Sequence, residues 1–224
     1  MELSEALRTT GAVRDFLPEP VPDDVLYRVL DTARFGPSGG NKQGWHVVVV
    51  KDAAKRRALR DAYLPGWYEY LTLTAGGLRP WAPTNDRAAE KAVLATTERP
   101  QLPDGFAEHL DEVPVLLAVF VDLGVLAAVD RDFDRYTFAG GASVYPFVWN
   151  VLLAGREEGL GGVITTMCIH EEPTVKALFD VPDHYALATV MALGYPTKAA
   201  RRLTRASVES FVSVDSMQGE PLRG

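Results

Sequence analysis

Residues 36–50 read GPSGGNKQGWHVVVV: a helix stop, a polar glycine-rich loop and an apolar run, in that order. Pro37, Ser38, Gly39 and Gly40 cannot continue a helix, and two adjacent glycines let the backbone take positive φ or come close to a ligand. Asn41 and Gln43 offer amide donors and acceptors at alternating positions. Val47–Val50 then predicts a buried strand. Upstream, Val25–Phe35 carries apolar residues at helical spacing. A polar loop is thus held between two rigid elements, which is where binding groups collect. Taken alone, Ser-Gly-Gly-Asn also marks an ordinary connection.

Toward the N-terminus, residues 2–9 predict a helix with Leu3, Ala6 and Leu7 on one face, broken at Thr9–Gly11. Pro18, Pro20 and Pro22 impose an extended connection. Asp23 or Asp24 starts the next helix, whose buried stripe is Leu26, Val29, Leu30 and Ala33. Toward the C-terminus, residues 53–64 predict an amphipathic helix with Ala58, Leu59 and Ala62 inward, and Lys55, Arg56, Arg57 and Arg60 as a solvated face. Residues 65–112 read as largely irregular, with a short helix at 88–97. The aromatics Trp67, Tyr68, Tyr70, Trp81 and Phe106 there either pack on the domain or form a lid over a flat ligand. Strands are expected at 113–121, 161–166, 185–193 and 208–214. Residues 136–153 predict a helix apolar almost all round, with Pro146 in its first turn, suited to a core or a subunit interface. Gly159 is its C-cap, and 171–179 is a further helix.

Composition narrows the function classes. With 224 residues and 47% apolar content, one domain with a real core is expected. A net charge of −7 argues against a nucleic-acid or membrane-surface binder. The apolar stretch 113–129 is interrupted by Pro114, Asp122 and Gly124, so no membrane span is expected. The start, MELSEALRTTG, lacks the apolar core of a signal peptide, which makes a soluble cytoplasmic protein the expectation. The single cysteine, Cys168, reads as a small buried residue. The carboxylates of 130–134 lack metal-ligand spacing and read as a solvated loop, and the four histidines are scattered. There is no P-loop, G-x-G-x-x-G or nucleophile elbow. Two basic features remain. Arg14 lies in an irregular segment, and Lys198, Arg201, Arg202 and Arg205 crowd eight residues. Each suits either an anion or plain solvation.

Four separated stretches together resemble the nitroreductase-like FMN-dependent oxidoreductases. The family pattern is R-x-F near the N-terminus followed by P-S-x-x-N-x-Q-P-W. The chain has Arg14-Asp15-Phe16 and then Pro37-Ser38-Gly39-Gly40-Asn41-Lys42-Gln43-Gly44-Trp45, departing at Gly44. Gly159-Leu160-Gly161 and Gly194-Tyr195-Pro196 also match. The resemblance implies an α+β fold over 1–224, with a mostly antiparallel central sheet flanked by helices and a variable lid-like insert at about 65–112. It implies a homodimer with FMN at the subunit interface. By analogy Arg14 and Arg205, with Arg8 nearby, would hold the flavin phosphate. Ser38, Gly39, Asn41 and Gln43 would contact the ribityl chain and ring. The backbone of Gly162, Val163, Ile164 and Thr165 would approach the reactive N5 edge. Relatives often carry Arg-Arg-Ser-x-Arg where this chain has Thr10-Gly11-Ala12-Val13-Arg14. The implied reaction passes electrons from NADH or NADPH through flavin to a small flat acceptor such as a nitroaromatic or quinone, with no catalytic side chain. Dehalogenation, azoline oxidation, flavin cleavage and non-catalytic flavin binding on the same fold stay open as alternatives.

Overall fold

The run VLLAVFVD has no polar alternation because it is covered on both faces. In the computed structural model, which describes residues 1–224, it forms β2 (Val115–Asp122) in the interior of a four-stranded antiparallel sheet. The other strands are β1 (Trp45–Val49), β3 (Gly161–Thr165) and β4 (Tyr185–Gly194), in the order β1-β2-β4-β3. Side chains alternate across the pleat. Leu117, Val119 and Val121 join one core with Leu26, Val29, Phe147, Val148 and Val151, while Leu116, Ala118 and Phe120 join a second with Leu59, Tyr63, Leu110 and Val175.

The first core lies under α2 (Asp23–Ala33) and α5 (Tyr145–Glu157), and the second under α3 (Ala53–Ala75) and α6 (Glu172–Leu178). Pro146 sits in the first turn of α5, where a missing N–H costs nothing. Two short helices complete the set, α1 (Leu3–Thr9) and α4 (Arg87–Thr96). The N-terminal strap pairs with the free edge of β3, Ala12 against Gly162, and Phe16 bridges to Pro196. Cys168 is fully buried, and burial pushes its thiol up to about 12, so it stays protonated and inert.

Several expectations need correcting. Val47–Val49 lie in an edge strand and are only half-buried, because β1 has a partner on one side alone. Residues 65–75 are helical: α3 runs 23 residues through Pro65. Packing overrides the proline there, since Tyr63, Gly66, Thr72 and Leu73 are buried along one side of the helix. Residues 208–214 form no sheet strand. Val208–Ser210 is one turn of 3₁₀ helix, and Ser213 makes a lone bridge to Pro221. Arg56 is not a solvated cation. Its guanidinium donates to the carbonyls of Val50, Asp111 and Val113, tying α3 to the loop ahead of β2.

Asp130 is likewise buried rather than solvated, with 2% exposure. It accepts from the backbone N–H groups of Phe138 and Ala139 and from Arg135. The Phe138 amide, more than the Ala139 amide and Arg135, holds its carboxyl below the ordinary value. The folded pKa is therefore lower than the unfolded one of about 3.9. The resulting stability is complete above that pH and lost as pH falls through the folded value. Asp130→Asn is expected to be less stable than wild type near neutrality, with the gap closing in denaturant titrations below about pH 4. A pH-independent gap would remove this carboxylate from the acid response.

Candidate functional site

The loop of residues 36–44 is bent tightly. Gly40, Asn41 and Gln43 have φ of 57°, 53° and 49°. Asn tolerates this region and Gly is at home there, whereas Gln43 pays a local strain. The loop compensates internally: Gln43 N–H donates to Ser38 Oγ at 2.9 Å, and the Gln43 amide nitrogen lies 3.2 Å from both Asn41 oxygens. Gly39 N–H donates to Ser143 Oγ at 3.0 Å, and Trp45 stacks on Phe147 with centroids 4.7 Å apart. The loop is thereby fixed to the N-terminal end of α5. The side chains of Asn41 and Gln43 stay exposed.

The C-terminal end of α5 faces a different feature. A cavity of about 290 Å³ is lined by the strap Thr9–Asp15, by Leu152 and Arg156 of α5, by Leu160, Gly161 and Gly162 entering β3, and by Pro196–Arg201 with Leu203. Close packing shapes it. A Cβ on Gly161 would lie 2.7 Å from Val13, so only glycine lets the strap lie on the strand. Val13 N–H donates to Gly162 C=O at 2.8 Å. Along an edge strand the backbone groups alternate in direction, so the N–H and C=O of Ile164 point to the same open side as those of Gly162. Val163 is buried against the second core. Thr165 is buried too: its hydroxyl lies 3.2 Å from Tyr63 Oη, and its carbonyl accepts from Thr189 Oγ1. Burial pushes the Tyr63 phenol up, partly offset by the Thr165 bond.

Four cations line the cavity, Arg14, Arg156, Lys198 and Arg201, and none pairs with a carboxylate. The one acid in the lining, Asp15, accepts from Thr197 Oγ1 at 2.7 Å. Two of the lining residues each carry a buried polar atom without any partner, Thr10 Oγ1 and Arg156 Nε. Unsatisfied buried groups cost about 1–3 kcal/mol each, so they point to a missing acceptor.

Of the residues singled out in the sequence, Arg14 and Gly162 line the cavity and Ile164 presents its backbone at the adjoining strand edge. Arg205 and Arg8 lie outside it. Arg205 is exposed and donates to the neighbouring Thr204 carbonyl, and Arg8 is exposed with its carbonyl accepting from Leu203 N–H. Ser38, Gly39, Asn41 and Gln43 sit at the opposite end of α5. That helix has 13 residues, which at 1.5 Å per residue separates the two features by about 20 Å. Thr10 and Arg156 were not singled out. Thr10 reads as a helix stop and Arg156 as a helix end, and no local pattern marks either as facing a cavity.

The model of the family described as "Nitroreductase family" matches residues 7–195. The chain belongs to the nitroreductase family. A 5,6-dimethylbenzimidazole synthase of Rhodospirillum rubrum is 30% identical over 82% of this chain and 77% of its own. An NADH dehydrogenase of Thermus thermophilus is 29% identical over 90% of each. Among solved structures, an oxidized iodotyrosine deiodinase bound to FMN and 3-iodo-L-tyrosine superposes with a TM-score of 0.66, at 23% identity over 96% of this chain and all of that one. These relatives differ in the reactions their names describe, so the comparisons establish family and fold and leave the reaction to the site.

The residues present fit FMN, the group bound in that neighbour. A phosphate suits a cavity with four unpaired cations and two orphaned polar atoms, and a planar ring suits the open edge at Ile164.

Proposed function

We propose that this chain is a homodimeric FMN-dependent oxidoreductase taking electrons from NADH or NADPH and passing them to a small flat acceptor such as a nitroaromatic or quinone. The observation that carries the reading is the cation-lined cavity beside the free edge of β3. Arg14, Lys198 and Arg201 would neutralise the phosphate. The N–H and C=O of Ile164 would meet the polar edge of the ring. Bound there, FMN would supply the electron transfer, which no side chain of this protein can perform. No titratable side chain is assigned to proton transfer.

The two half-sites argue for the dimer. A second copy laid antiparallel along α5 would bring its Ser38–Gln43 loop to the cavity of the first. The chain also exposes Tyr27, Phe35, Tyr136 and Phe138, each above 65%, as apolar surface for such a partner. Dehalogenation is the second reading, favoured by the likeness to iodotyrosine deiodinase.

The deciding experiment is the visible spectrum of the purified protein, with the chromophore identified after heat release, then NADH or NADPH oxidation with nitrobenzene, a quinone or 3-iodotyrosine. Yellow protein releasing one FMN per chain and turning over the first two acceptors is expected. Turnover of iodotyrosine alone selects the second reading. Colourless protein that refuses added FMN ends both.

A further inference from the structure

Arg156 is the one cavity cation that stands on a core helix rather than on a strap or loop. It occupies the last turn of α5, followed by two glutamates that would ordinarily neutralise it. Both are turned elsewhere. Glu157 lies 3.9 Å from the N-terminal ammonium, and Glu158 takes a two-pronged pair from Arg28 at 2.8 and 3.1 Å. Arg156 is left with its Nε buried and without an acceptor. In the same lining Thr10 is 7% exposed, and its Oγ1 also lacks a partner. The strap from Thr10 to Val13 contains no cation. Two residues from distant parts of the chain therefore line one cavity, each with a buried polar atom that has no partner, beside Arg14, Lys198 and Arg201.

We propose that Arg156 and Thr10 are phosphate anchors of this site, the guanidinium and the hydroxyl donating to the phosphate oxygens of FMN. The assignment rests on the flavin reading above and adds to it which groups of this chain hold the phosphomonoester. A helix-borne arginine is pre-positioned by the core, so its contribution is discrimination: it separates a phosphorylated flavin from an unphosphorylated one carrying the same ring.

The test compares FMN with riboflavin, which lacks the phosphate, by fluorescence titration of the flavin-stripped protein. Wild type should bind FMN more tightly than riboflavin. Arg156→Met should weaken FMN about tenfold to hundredfold, the scale of one lost charge-assisted hydrogen bond, while riboflavin binding changes little. Arg156→Lys should recover part of the preference. Thr10→Val, which keeps the shape and removes the hydroxyl, should weaken FMN by a smaller factor with the same selectivity. If Arg156→Met weakens both flavins equally, Arg156 only supports the fold and the proposal fails. It fails too if neither affinity moves. Wild-type protein binding neither flavin overturns the flavin reading itself, a result distinct from either of those.

Discussion

Arg14→Ala is expected to lower the affinity for FMN about tenfold to hundredfold, the worth of a charge-assisted hydrogen bond to phosphate. Arg14 follows the strap residue whose N–H pairs with Gly162, and Leu17 N–H then donates to Tyr195 C=O. The backbone on either side is thus pinned, and Arg14 lines the cavity from a fixed base. Arg14 also lines the neighbouring groove formed with Phe106 and His109, so it stands where the cation-lined cavity meets the segment ahead of β2. It is exposed and has no carboxylate partner, so its removal should shift stability by no more than about 0.5 kcal/mol. Flavin fluorescence titration separates the two effects. Unchanged affinity in a folded Arg14→Ala protein would take Arg14 out of the site. Arg14→Lys should fall between, since a lysine keeps the charge and loses the planar fork.

Leu117→Ala is expected to destabilise the fold by about 2–5 kcal/mol, a large share of the roughly 5–15 kcal/mol that holds a domain together. Leu117 is fully buried in the interior strand β2, paired with Val49 on β1 and Met191 on β4. It shares the first core with Phe147, Val148 and Val151 of α5. Truncation leaves a hole between a sheet and a helix that are both held by other contacts, so collapse around it is limited. At about 2–4 °C per kcal/mol for a chain of this size, thermal unfolding should fall by about 4–20 °C. A shift under a few degrees would mean that α5 settles onto the sheet. That movement would itself disturb Arg156, and FMN affinity would register it.

Much of the fold was legible because local sequence carried it. The strand at Val115–Asp122, the helix end before Gly159 and the turn at Ser38–Asn41 each have short-range causes: apolar run length, a C-cap and left-handed backbone. The start of that helix was misread, since α5 begins at Tyr145 after a 3₁₀ turn at Ala139–Ser143 and not at 136. The failures were places where packing outvoted local preference. Pro65 and Gly66 read as a helix end, yet α3 continues to Ala75 because its next turns are buried. Arg56 and Asp130 read as surface charges, yet Arg56 is solvated by backbone carbonyls far along the chain and Asp130 by amides of the folded loop eight and nine residues on. Of the candidate site, the loop carrying Asn41 and Gln43 and the strap carrying Arg14 were visible, being motifs of consecutive residues. Arg156 and Thr10 were not, since only their surroundings distinguish them.

The sequence by itself determined the family, the helix–loop–strand unit at 25–50 and the excess of cations before the C-terminal segment. Tertiary structure decided which of those cations share a cavity. The antiparallel pairing of β3 with β4 sets Gly161 opposite Gly194 and so draws the end of α5, the strap and the basic segment after β4 around one space. It also set the polar loop at the far end of α5. Residues so far apart in the chain meet only once the strands have paired, and short-range spacing holds no record of that meeting.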